Sequence, residues 1–162
     1  GVARDLASVT NRKFSPVIAE PIKVQGNESL KISMESSDDC PRYIGGIIKG
    51  VSIGPSPDWL VDRLRSVGQR SINNIVDISN FVLMEMGHPT HIFDYDKLDN
   101  KEIYVRRAKE GETLITLDEQ KHKLDDQHLL ITDGHNPLAL AGIMGGQSTA
   151  VSKGTKDRKS TR

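Results

Sequence analysis

The sequence predicts an α+β domain with mixed or antiparallel sheets around two central helices, and three observations carry that reading. Residues 28–35 place Leu30, Ile32 and Met34 between polar neighbours, the period of two of a half-buried strand. Residues 56–87 change to helical spacing, with two apolar faces separated by Gly68. Beyond Asp99 come short apolar runs divided by turn-forming clusters, the pattern of successive short strands.

Taken in order, residues 1–9 have the apolar spacing of a helix end. Residues 11–27 form a linker in which Pro16 and Pro21 discourage any helix. A first strand over 28–35 is followed by a second over 42–53, where the Gly45-Gly46 pair predicts a bulge or a close backbone approach. Ser56, Pro57 and Asp58 supply a capping hydroxyl, a first-turn proline and an early acid. Leu60, Val61, Leu64 and Val67 then make one face, and Gly68 ends the helix.

Ser71 is expected to open the second helix, with Ile75, Val76, Val82, Leu83 and Met86 forming a broad buried stripe. Gly87 is its expected left-handed cap, and Pro89 prevents continuation into a dense polar turn at His91. Strands are expected at 102–107, 113–117, 121–124 and 129–132, with turns at 118–120 and 133–136. The small-residue run LALAGIMGG at 138–146 reads as a strand entering a glycine loop. In residues 152–162 basic groups outnumber the single acid and apolar periodicity is absent, which predicts a disordered or appended tail. The organisation expected is a preceding segment and linker at 1–27, a domain at 28–151 and that tail.

A chain of 162 residues buries a real core without cross-links, since domains of this size hide roughly two-thirds of their unfolded surface. Aromatic content of 4% makes that core chiefly aliphatic. The single cysteine, Cys40, excludes an internal disulfide, reads as a small buried hydrophobe, and fits a cytoplasmic location. No apolar run approaches the ~18 residues of a membrane span, and GVARDLASV has no secretory pattern. The start at Gly1 suggests processing or a piece of a longer protein, and the second is favoured.

Lysine plus arginine and aspartate plus glutamate each number 22, so the chain lacks the charge of a protein that grips nucleic acid mainly through phosphates. Any RNA contact is local or shared. Among the five histidines, His88 and His91 are the nearest pair, but Pro89 separates them and their spacing matches no zinc motif; no metal is expected. His122, His128 and His135 fall in or beside turns, where solvent exposure is the plain reading. No nucleophile elbow exists, and Gly142, Gly145 and Gly146 lack the lysine and hydroxyl of a phosphate loop. They form either a structural turn or a turn that opens the backbone to a ligand. His91 remains, as a functional group or as a turn residue bonded locally.

Several segments, in order, resemble one family. They are CPRYIGGIIKGVSIG from Cys40, RLRSVGQRSINNIVDISNFVLMEMGHPTHIFD from Arg63, VRRAKEGETLITLDE from Val105 and LALAGIMGGQSTAVS from Leu138. Together they resemble the central editing domain of bacterial phenylalanine tRNA ligase beta subunits, and GVARDLASV resembles the segment leading into it. The resemblance implies an α/β module that hydrolyses tyrosine wrongly attached to tRNA(Phe). It implies a parent that uses ATP and magnesium to ligate phenylalanine, with an alpha subunit carrying that site in a heterotetramer of two alpha and two beta subunits.

An apolar pocket built for phenylalanine rejects an added hydroxyl only about 10²-fold, so a second, hydrolytic sieve has a physical purpose. By the same resemblance His91 is the catalytic histidine, Asn80 lines the pocket, Gly145 contributes backbone, and Ser79 and Pro89 are wall positions. No cofactor is implied for this region itself. The departure is at position 161, where the family's glutamate reads the tyrosine hydroxyl and this chain has Thr161. A Thr-x-Ala segment of the pocket is expected beyond Arg162, so the isolated chain is expected to be a weak enzyme. The competing expectation is a noncatalytic module that docks on tRNA or on other subunit domains.

Overall fold

Alternation at 28–35 yields β1 (Lys31–Met34), which runs parallel to β4 (Glu102–Arg107) in the computed structural model. The structure describes residues 1–151 and the backbone of 158–161. β4 pairs antiparallel with β7 (Leu129–Thr132), β7 with β8 (Pro137–Leu140), and β8 with β9 (Met144–Gly145), giving a mixed sheet ordered β1-β4-β7-β8-β9. β5 (Thr113–Ile115) and β6 (Lys121–Lys123) form a hairpin joined to the sheet through the Thr116–Gly146 bridge. β2 (Gly45–Ile48) and β3 (His91–Asp94) lie on either side of β10 (Arg158–Thr161) in an antiparallel sheet.

Two apolar clusters pack against the mixed sheet. Phe93, Leu98, Ile103, Val105, Ile131, Leu138 and Ala139 form one cluster; Ala108, Leu114, Leu124, Leu130 and Leu140 form the other. Neighbouring Leu130 and Ile131 in β7 enter different clusters, as side chains on opposite faces of a strand do. Arg106 is buried and grips Glu112 through two hydrogen bonds of 2.8 and 2.7 Å.

The first helix, α1 (Val2–Val9), has no buried residue, and residues 12–24 have no regular element, as the prolines predict. α2 (Asp58–Ser66) buries Leu60 and Leu64 and ends before Gly68, whose φ is +78°. Ser56 does not cap this helix. Its hydroxyl is 2.5 Å from a carboxylate oxygen of Asp77, and Pro57 takes the capping position.

α3 (Asn74–Met86) begins later than Ser71 suggested, because Asn73 is the better cap: its side-chain oxygen accepts from the N–H groups of Ile75 and Val76. The expected apolar stripe is only half-buried, and Met86 is exposed. The fully buried residue of α3 is Asp77, which accepts hydrogen bonds from Ser56, Ser71 and the Ile72 N–H. Burial works to raise the Asp77 pKa, but those bonds together with one from the Asn73 N–H outweigh it and hold the carboxyl below its ordinary value. Gly87 is the left-handed cap, at φ +73°.

Two further differences affect the site. The polar stretch at His91 is a strand rather than a turn, since β10 supplies a bonding partner along its whole length. Residues 158–161, within the expected disordered tail, are strand β10, while 152–157 and 162 lie outside the described residues. Gly45 and Gly46 keep regular register with Thr161 and Ser160, so that pair is not a bulge.

Candidate functional site

Helix α3 and strand β3 set the position of His91 between them. After the Gly87 cap the chain passes Pro89 to Thr90, which Ser79 holds: the Ser79 hydroxyl lies 3.0 Å from the Thr90 carbonyl and 2.7 Å from the Thr90 hydroxyl. His91 is the first residue of β3 and Phe93 the third, so both side chains leave the same face of the strand. Their ring centroids are 4.4 Å apart at an interplanar angle of 67°.

Gly145 approaches the imidazole from the β8–β9 hairpin. A β-carbon built on Gly145 would stand 2.2 Å from His91 Cε1 and 2.9 Å from Nε2, distances no side chain tolerates. Any side chain at 145 would therefore have to displace the histidine ring. Gly146 is required for another reason, since a β-carbon there would lie 2.5 Å from the Leu138 carbonyl oxygen. The Gly145 carbonyl accepts from the Leu117 N–H at 3.0 Å, and Gln147 N–H bonds the Ile115 carbonyl at 2.9 Å, fastening the hairpin behind the glycine.

His91 and Gly145 border a cavity of about 430 Å³, together with Pro89, Cys40, Tyr43 and Met144. Val105, Leu129, Ile131 and Ala139 give its floor an apolar character. Burial pushes the His91 pKa below its ordinary value and so favours the neutral ring. A neutral imidazole accepts a proton at one nitrogen while donating from the other, which suits it to orient a hydroxyl or a water.

Of the residues nominated from sequence, the fold brings His91, Gly145 and Pro89 to one cavity. Ser79 lines an adjacent apolar cavity of about 310 Å³ with Ile48, Val51, Ile75, Val82 and Ile92, and Thr90 borders both spaces. Asn80, one residue further along α3, is not on the wall of the His91 cavity. Backbone register sets position 161 opposite His91 on one side and Gly45 on the other. The place where a tyrosine-reading glutamate was expected is thus beside the histidine, and threonine occupies it.

Sequence reasoning missed Cys40, Tyr43 and Met144 as wall residues. Cys40 is half-buried, packs against the main cluster, and its thiol lies 3.6 Å from the Arg42 carbonyl. Nothing in local spacing marks these residues, because residues 40–43 and 139–145 meet only in the folded chain. Three of the other histidines have polar partners: His122 meets Thr116 at 3.1 Å, His128 meets Asp125 at 2.7 Å, and His135 meets Asn100 at 2.7 Å.

Residues 39–158 match the family model of the B3/4 domain. The chain is 45% identical to the phenylalanine-tRNA ligase beta subunit of Syntrophotalea carbinolica over 97% of its own length, and 47% identical to that of Geobacillus kaustophilus over 93%. Identity to the beta subunit of Carboxydothermus hydrogenoformans is 48% over 96% of the chain. The chain spans about a fifth of the length of these curated relatives. Its fold resembles the crystal structure of an N-terminal fragment of the phenylalanyl-tRNA synthetase beta subunit from Pyrococcus horikoshii. That likeness has a TM-score of 0.60 at 18% identity and covers 88% of this chain and 45% of the other. The chain therefore belongs to the B3/4 domain family, in the form carried by phenylalanine-tRNA ligase beta subunits.

Proposed function

We propose that this chain is the part of a phenylalanine tRNA ligase beta subunit that hydrolyses tyrosine mistakenly attached to tRNA(Phe). The observation that carries the reading is the His91 imidazole seated on Gly145 at the wall of an apolar cavity. An aminoacyl ester is already activated, so the site has only to hold the ester and a water in reacting geometry. In this reading His91 orients the water or the terminal ribose hydroxyl and accepts a proton as the water attacks. Gly145 seats the imidazole, and Pro89 closes the wall. Ser79 acts by holding Thr90, and Asn80 contributes from the helix rather than from the cavity surface.

The partners in this reading are tRNA(Phe) and an alpha subunit, two of each subunit forming the cytoplasmic enzyme. ATP and magnesium belong to the aminoacylation reaction of that assembly. Among the described residues no three His, Cys, Asp or Glu side chains gather as a metal site would require, and no step assigned here passes through a metal. The His91→Ala substitution in the assembled ligase is expected to slow single-turnover deacylation of tyrosyl-tRNA(Phe) by on the order of 10²-fold. A rate equal to the parent's would remove His91 from the reaction.

Thr161 at the register position opposite His91 favours a second reading, a docking module without hydrolysis. In that case neither His91 nor Asn80 substitutions alter deacylation.

A further inference from the structure

We propose that Phe93 is a positioning residue for the site: its ring and the Gly145 backbone clamp the His91 imidazole from two sides and set which way its nitrogens point. The inference rests on the hydrolytic reading for its kinetic consequence and on geometry alone for the clamp.

The torsion that rotates an imidazole about its bond to Cβ is broad and roughly two-fold, so rotamer preference does not choose the ring's orientation. Contacts must do so. Strand β3 sends His91 and Phe93 to one face, while Ile92 between them lines the separate cavity beneath α3. The Phe93 ring meets the imidazole in a close edge-to-face contact, with centroids 4.4 Å apart at 67°. Against Gly145 the space is too small for one added carbon, 2.2 Å from Cε1.

The clamp is rigid because its parts are anchored elsewhere. Phe93 is fully buried, at 0% exposure, among Leu98, Ile103, Val105, Ile131 and Leu138. Gly145 is tied through its carbonyl to Leu117 and through its neighbour Gly146 to Leu138. The core packing of the mixed sheet thereby reaches the histidine through the Phe93 ring.

The test is Phe93→Leu, which keeps the position apolar but removes the flat edge. Leu98→Val, in the same cluster, serves as the control for lost packing. In the ligase assembled from the beta subunit carrying this sequence and its alpha subunit, Phe93→Leu is expected to lower kcat for tyrosyl-tRNA(Phe) hydrolysis about tenfold with KM unchanged. Leu98→Val is expected to lower Tm comparably and leave kcat as it was. In the 162-residue chain, side-chain NMR relaxation is expected to show a mobile His91 ring in Phe93→Leu and an ordered one in Leu98→Val.

Equal kcat values for Phe93→Leu and the parent, or an equal loss in the control, would overturn the kinetic role. If His91→Ala leaves deacylation unchanged, the hydrolytic reading fails by itself. The clamp is then decided by the NMR measurement, where an ordered ring in Phe93→Leu rejects it.

Discussion

His91 carries a property that only its surroundings supply. Burial holds its pKa below the ordinary imidazole value of about 6.5, so the unfolded chain takes up a proton first as pH falls. The stability from this residue is complete above that value and is lost as pH drops toward the lower folded pKa. Urea unfolding at pH 7.5 and 5.5 is expected to show less stability at the lower pH, and a smaller difference for His91→Gln. The same shift moves the acid limb of any His91-dependent deacylation rate below pH 6.5, where an exposed imidazole would already be protonated. Asp77 is the opposite kind of buried group: a carboxylate held below its ordinary pKa by hydroxyls and backbone N–H groups, fixing Ser56 and residues 71–73 to α3.

At the scale of elements, α3 shows how a few residues set a boundary. Ser71 is a capping residue by type, yet Asn73 is chosen because Ser71 is taken by Asp77. Replacing Asn73 with alanine is expected to cost about 1 kcal/mol, read as a lower urea midpoint at unchanged slope. Ends of this kind were legible from glycine: Gly68 and Gly87 both have positive φ where helices stop. Strands β4 and β7 were legible in their full extents because apolar alternation and flanking turn residues agree. β3 was not, because HPTHIFD has the composition of a turn and becomes a strand only when β10 lies alongside.

For the molecule as a whole, β10 joins two strands that do not touch each other. β2 and β3 are separated by 42 residues of chain between Ile48 and His91, and each pairs with β10. A chain ended at Val151 is expected to lose amide-exchange protection at 45–48 and 91–93, because both ladders lose their partner, while 102–107 and 129–132 stay protected. Hydrogen exchange read by mass spectrometry checks this, and retained protection at 91–93 would show that β3 is ordered by the core alone. The consequence reaches the site, because β3 begins with His91.

The sequence by itself determined the α+β class, the two central helices with their glycine stops, the short strands after residue 100, and the identity of the histidine and glycine that meet. Those features follow from local periodicity, turn chemistry and the wording of a few segments. Tertiary structure decided the rest: that His91 starts a strand, that its imidazole sits where a side chain at 145 would begin, and that Cys40 and Tyr43 share its cavity. It also buried an aspartate at the heart of α3. Each depends on strands and loops far apart in sequence coming within a few ångströms, and no local pattern encodes which distant backbone will fill that space.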